Sequence, residues 1–171
     1  MTLPIFINED QIVKAEEEVL EECNLVKKND RVYYSKSMPS IISKNNIILL
    51  KDIAKHKGLD ACRICMHTNN EENIHEMLMI HTKPQVIKPH KQNKTSLSYH
   101  IIKGFGEVKL YNNNGYLQQK ILISDSGQQH IRLDANIFRS IESKSECFIF
   151  LEVASGPFKD DDTIWMSNIN E

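Results

Sequence analysis

Between residues 61 and 153 the chain runs as nine short apolar segments, each closed off by polar or turn-forming residues. They are ACRICMH (61–67), EMLMIHT (76–82), VIKPH (86–90), SYHIIKG (98–104), EVKLY (107–111), QKILI (119–123), HIRL (130–133), NIFRSI (136–141) and CFIFLEV (147–153). Segments of this length and spacing read as strands, and about nine of them predict a sandwich or closed barrel with its ligand site inside. HIRLD and VKLY alternate as half-buried strands do. Asn112–Gly115 and Asp125–Gly127 have the composition of hairpin turns. Gly156-Pro157-Phe158 reads as a turn out of the last strand, and Asp160–Asp162 as a solvated loop. Trp165, the one tryptophan, is placed to pack back on the barrel.

The first sixty residues differ in texture. Residues 8–23 predict an amphipathic helix, with Asn8 as cap, Gln11 at the capping-box position, Ile7 as a staple and Ile12, Ala15, Val19, Leu20 and Cys23 at helical spacing. Glu16–Glu18, Glu21 and Glu22 read as its solvated face. RVYYSKS (31–37) predicts a short strand ended before Pro39, and residues 46–56 a second helix stopped at Gly58. The expected organisation is an α-rich segment over 1–60 and a β-barrel domain with its tail over 61–171. At 171 residues the chain buries about 70% of its unfolded surface and needs no metal or disulfide merely to fold.

Charge excludes some partners. Residues 1–60 carry 9 Lys/Arg against 10 Asp/Glu, and residues 61–171 carry 12 against 13. With no basic bias, neither a nucleic acid nor an anionic membrane is expected as partner. The start, MTLPIFINEDQ, has neither the basic region nor the apolar core of a secretory signal, and no apolar run approaches the ~20 residues of a membrane helix. The expected location is cytoplasmic. Cys23, Cys62, Cys65 and Cys147 are too few for a disulfide scaffold and read as free thiols. Positions 62 and 65 of one strand point to opposite faces, so the CxxC spacing does not make a metal or redox pair.

Strand parity sorts the remaining candidates. Arg63, Cys65 and His67 share a face, which brings His67 toward the interior. His100 has the opposite parity to Leu97 and Tyr99 and faces away, against a partner strand or subunit. His56, His75, His81 and His130 sit at element ends and are expected in solvent. Glu152 stands in an apolar strand, where a buried carboxylate needs a partner (Arg139, Arg63 or a histidine) or becomes an acid/base group with a raised pKa.

"PHK…KTSLSYHIIKG" (89–104), "IRLDANIFRSI" (131–141) and "FLEVASGPF" (150–158) resemble the cupin-fold WbuC family, and "CRICMH" and "HEMLMI" fit the start of that domain. The resemblance covers residues 61–167. It implies a small antiparallel jelly-roll barrel, a homodimer, and a place in surface polysaccharide (O-antigen or lipopolysaccharide) biosynthesis.

The cupin metal set of two histidines, a glutamate and a late histidine falls here on His90, Gln92, Leu97 and Arg139. Leucine has no donor atom, and arginine stays protonated and repels a cation. The expected pocket therefore takes no metal or other cofactor. Its guanidinium suits a carboxylate or phosphate. The expected ligand is a small sugar-like or anionic molecule, bound by Arg63, His67, Gln92, Tyr99 and Arg139, with His90 and Glu152 as candidate catalytic groups. The sequence leaves open whether the protein is an enzyme. The alternatives are a metal-independent nucleotide-sugar isomerase or epimerase, and a non-catalytic dimeric assembly protein with a decayed site in which Arg139 pairs with Glu152.

Overall fold

The computed structural model describes residues 8–170. Helix α1 spans Glu9–Glu22 and is capped by Asn8, whose side chain accepts the Gln11 N–H at 3.0 Å. The expected staple residue Ile7 lies outside the described residues. The chain then forms β1 (Leu25–Asn29), which had no clear signal in LVKKN, and β2 (Val32–Ser35). Helix α2 spans Lys44–His56, two residues longer at its start than expected. Ser43 and Asn46 close a capping box there: each backbone N–H is bound by the other's side chain.

All nine expected strands are present. They are β3 (Ala61–Cys65), β4 (Ile74–His81), β5 (Gln85–Gln92), β6 (Leu97–Lys103), β7 (Phe105–Tyr111), β8 (Leu117–Ser124), β9 (His130–Leu133), β10 (Phe138–Ser143) and β11 (Phe148–Ser155). A further strand, β12 (Thr163–Trp165), pairs with β5 and sets Trp165 opposite His90. Just before it, Asp160–Asp162 forms a single 3₁₀ turn.

The order within the sheets is β1-β2-β3-β4-β11-β6-β9 and β12-β5-β10-β7-β8. Counting β4 as the first of eight strands, one sheet runs first, eighth, third, sixth and the other second, seventh, fourth, fifth. That interleaving is the double Greek key of a jelly roll. Two expectations change. The sheets face each other but remain separate among the described residues, so the architecture is an open sandwich, not a closed barrel. Asn112–Gly115 does turn a hairpin between β7 and β8, with Gly115 at φ +84°. Asp125–Gly127 instead carries the chain from β8 in one sheet to β9 in the other. Turn residues serve a hairpin or a crossing equally well, so composition did not separate them.

The larger sheet is buried on both faces across β3 and β4 and at Ile149 of β11. Its inner face meets the smaller sheet through Tyr99, Ile101, Phe148 and Phe150 against Val108, Ile123 and Ile141. Its outer face, through Cys62, Ile64, Leu78, Ile80 and Ile149, packs on Val19 of α1 and Leu50 and Ile53 of α2. Residues 8–60 thus extend the sheet by β1 and β2, with β2 parallel to β3, and cover part of its back.

This packing explains Glu16, which is buried rather than solvated. The Tyr33 hydroxyl donates to it at 2.6 Å, Lys57 at 2.7 Å and Lys27 at 3.0 Å. Burial alone would raise its pKa. The hydrogen bonds from Lys57, Tyr33 and Lys27 outweigh that and hold it below the usual carboxylate range.

No helix among the described residues is long and apolar enough to cross a membrane.

Candidate functional site: a polar cavity between the sheets

A cavity of about 280 Å³ opens between the sheets. The alternation of β3, β4, β11 and β6 delivers its larger-sheet wall: Arg63, His75, Met77, Met79, Glu152 and Tyr99 all point inward. Register places Glu152 between Met77 and Tyr99, and Arg63 beside Met79. The smaller sheet adds His90 and Gln92 from β5, and β12 adds Trp165, 58% exposed at the rim. Lys28 and Tyr34 reach the same cavity from β1 and β2, so the N-terminal segment contributes to the site.

Six of the seven residues proposed from sequence meet here: Arg63, His67, His90, Gln92, Tyr99 and Glu152. The seventh, Arg139, does not line the cavity. It is 4% exposed, donating to Gln92 Oε1 at 2.9 Å and to the His90 carbonyl at 3.5 Å. Arg139 thus meets the site through Gln92, which it orients, and stands near enough to Tyr99 and Glu152 for its charge to act on both. The alternative of an Arg139–Glu152 ion pair is corrected. Among the described residues no carboxylate lies within ion-pair distance of Arg63 or Arg139. The Nε atoms of both arginines are buried without a hydrogen-bond partner.

Protonation states follow from this setting. Burial pushes the Glu152 carboxyl up, while the charges of Arg139 and Arg63 pull the other way without cancelling it. Burial also raises the Tyr99 phenol, which stays protonated at any physiological pH. His90 donates Nδ1–H to the Lys88 carbonyl at 2.8 Å, which leaves Nε2 as the lone-pair nitrogen. Burial, helped by Arg139, lowers its pKa and keeps it neutral. His67 is lowered by burial and then by His75, whose ring stacks on it with centroids 4.2 Å apart. At neutral pH the wall therefore presents the neutral imidazoles of His67 and His90, a phenol, an amide and a guanidinium.

His75 and His81 overturn the expectation that they are solvated: both are buried. His75 stacks in the cavity wall, held close by Gly156, where a Cβ would lie 2.8 Å from its Nε2. His81 packs edge-on against Phe148 and Phe150. The sequence around them, HEMLMIH, is apolar on both faces because helices cover one side and the second sheet the other. Parity alone could not say that the histidines also point inward. Cys62 and Cys65 do diverge, Cys62 into the core under the helices.

The side chains do not fit the cation that cupin sites hold. His90 has a free Nε2, but Gln92 is engaged by Arg139, Leu97 offers no donor, and a guanidinium occupies the late position. No group of three His, Cys, Asp or Glu residues is arranged for a metal among the described residues.

No family model matches the sequence, and no curated protein matches it either. The fold does match solved structures. The capsular polysaccharide assembling protein CapF from Staphylococcus aureus aligns with a TM-score of 0.50 and 11% identity, over 58% of this chain and 28% of CapF. Oxalate decarboxylase from Bacillus subtilis aligns with a TM-score of 0.49 and 17% identity, over 62% of this chain and 27% of the enzyme. A cupin superfamily protein from Desulfitobacterium hafniense aligns with a TM-score of 0.45 and 14% identity, over 56% of this chain and 76% of the other. The chain spans little more than a quarter of the length of the first two. At these identities the likeness is one of fold, and the fold is the jelly roll that the strand order shows.

Proposed function

We propose that the protein binds a small anionic, hydroxyl-bearing molecule of the sugar-acid kind in this cavity, without a metal at its centre. The charge balance carries the reading. Lys28 and Arg63 face the cavity and Arg139 backs it, against one carboxyl among the described residues, Glu152, whose own ionisation is disfavoured. A site so built attracts an anion and repels a cation. Arg63 is the group to take a carboxylate as a two-pronged partner. Gln92, Tyr99, His90 Nε2 and Glu152 then offer donors and acceptors to hydroxyls. A setting in surface polysaccharide biosynthesis rests on the WbuC-like motifs alone.

The experiment is a calorimetric titration of untagged protein in EDTA with D-glucuronate and, separately, with neutral D-glucose. Binding of glucuronate in EDTA, weakened roughly 10- to 100-fold by Arg63→Met, supports the reading, since a charge-assisted pair contributes about 1.5–3 kcal/mol. Equal binding of both sugars, or no effect of Arg63→Met, contradicts it.

The raised Glu152 favours a second reading, in which this carboxyl moves a proton to and from a sugar carbon. Deuterium exchange from D2O into the bound sugar, lost in Glu152→Gln, separates an isomerase from a binding protein.

A further inference from the structure

The outward face of the larger sheet carries a feature that the cavity does not use. His100 on β6 and His130 on β9 stand directly opposite each other in the antiparallel register. His100 Nδ1 lies 2.9 Å from His130 Nδ1 and 3.2 Å from its Nε2, with ring centroids 4.2 Å apart and planes tilted by 40°. His100 is half-buried and His130 exposed.

Imidazole rings this close stack, as these do, and with a turn of one ring they can share a proton or point lone pairs at a shared cation. Two nitrogens bound to one ion at about 2.0–2.1 Å stand about 3 Å apart, the separation seen. As placed, His100 Nδ1 lies near both His130 nitrogens and so over the face of that ring, and the broad well of the terminal torsion lets the exposed His130 ring turn until a nitrogen lone pair faces His100. The backbone frame is fixed by the β6–β9 ladder, in which Leu97, Ser98, Tyr99 and His100 pair with Leu133, Arg132, Ile131 and His130.

We propose that His100 and His130 chelate a borderline transition-metal cation such as Ni2+, Cu2+ or Zn2+. Imidazole suits these ions, whereas Mg2+ and Ca2+ want oxygen. Two side-chain ligands leave the remaining coordination positions to water. The consequence is mechanical. β9 is a four-residue edge strand bonded only to β6, and the ion ties it to its neighbour.

The test uses full-length protein without a histidine tag, titrated with Ni2+ alone by calorimetry. One Ni2+ per chain is expected, with affinity at least roughly tenfold weaker in His100→Gln and in His130→Gln. His56→Gln, an exposed control, and His90→Gln, in the cavity, leave it unchanged. Ni2+ should also raise the thermal midpoint of the wild type but not of either pair variant, because binding to the folded state stabilises it. Absence of Ni2+ binding, equal affinity in the pair variants, or loss through His90→Gln overturns the proposal. The cavity reading is tested in EDTA, so the two stand or fall separately.

Discussion

Acid should destabilise this protein through His81 before most of its carboxylates titrate. His81 is 1% exposed, its Nδ1 has no hydrogen-bond partner, and its ring is packed against two phenylalanines. Burial lowers its pKa from 6.5 to about 4. The unfolded chain therefore binds a proton below pH 6.5 that the folded chain refuses until pH 4. Stability from this group is complete above pH 6.5, falls as pH drops through the window, and stops falling near pH 4. The full shift corresponds to about 3 kcal/mol, of which about 2 kcal/mol is lost by pH 5. Against a total of roughly 5–15 kcal/mol, that is a large fraction.

The assay is urea unfolding followed by circular dichroism at pH 7.5 and pH 5.0, for wild type and His81→Leu. His67 and His90 act with the same sign, and Glu152 with the opposite one, so the difference between the two proteins isolates His81. Leucine has no proton to accept. The variant should lose about 2 kcal/mol less than wild type between the two pH values. A variant with the wild-type pH dependence would refute the reasoning. So would a penalty of several kcal/mol at pH 7.5, because it would mean that Nδ1 has a partner.

Two further predictions concern the core under the helices. Glu16→Ala removes the shared acceptor of Tyr33, Lys57 and Lys27 and should cost about 2–3 kcal/mol in urea unfolding, less than a fully buried pair because both lysines reach water. Glu16→Gln, which keeps an acceptor for Tyr33, should cost less. With a disulfide reagent at pH 8 the native protein should expose Cys147 alone, since Cys23, Cys62 and Cys65 are buried and burial lifts the Cys62 thiol to about 12; all four should react after denaturation.

The strands of the jelly roll were legible because each is bounded by turn residues and their number fits few architectures. β1 was not, because LVKKN sits at a sheet edge where only Leu25 is buried, and a single inward residue makes no pattern. The back-to-back packing of the N-terminal helices on the sheet was hidden for a related reason. It makes both faces of β4 apolar and erases the alternation that would have turned His75 and His81 inward. At the site, residue types were readable one by one: Arg63, His67, His90, Gln92, Tyr99 and Glu152 do converge. What spacing could not supply was depth. Arg139 shares the inward parity of Ile141, yet its long side chain bends onto Gln92 rather than standing open in the cavity. Lys28 and Tyr34 come from strands that join the sheet by a parallel pairing, for which nearby sequence carries no signal.

The central claim is that an anionic, metal-free ligand seats against Arg63. A crystal structure of untagged protein grown in EDTA with D-glucuronate tests it most directly. The account predicts the sugar inside the cavity, its carboxylate within hydrogen-bond reach of the Arg63 guanidinium and its hydroxyls toward Glu152 and Gln92. A carboxylate placed away from Arg63, or a tightly held cation beside His90 that survives the chelator, would contradict it.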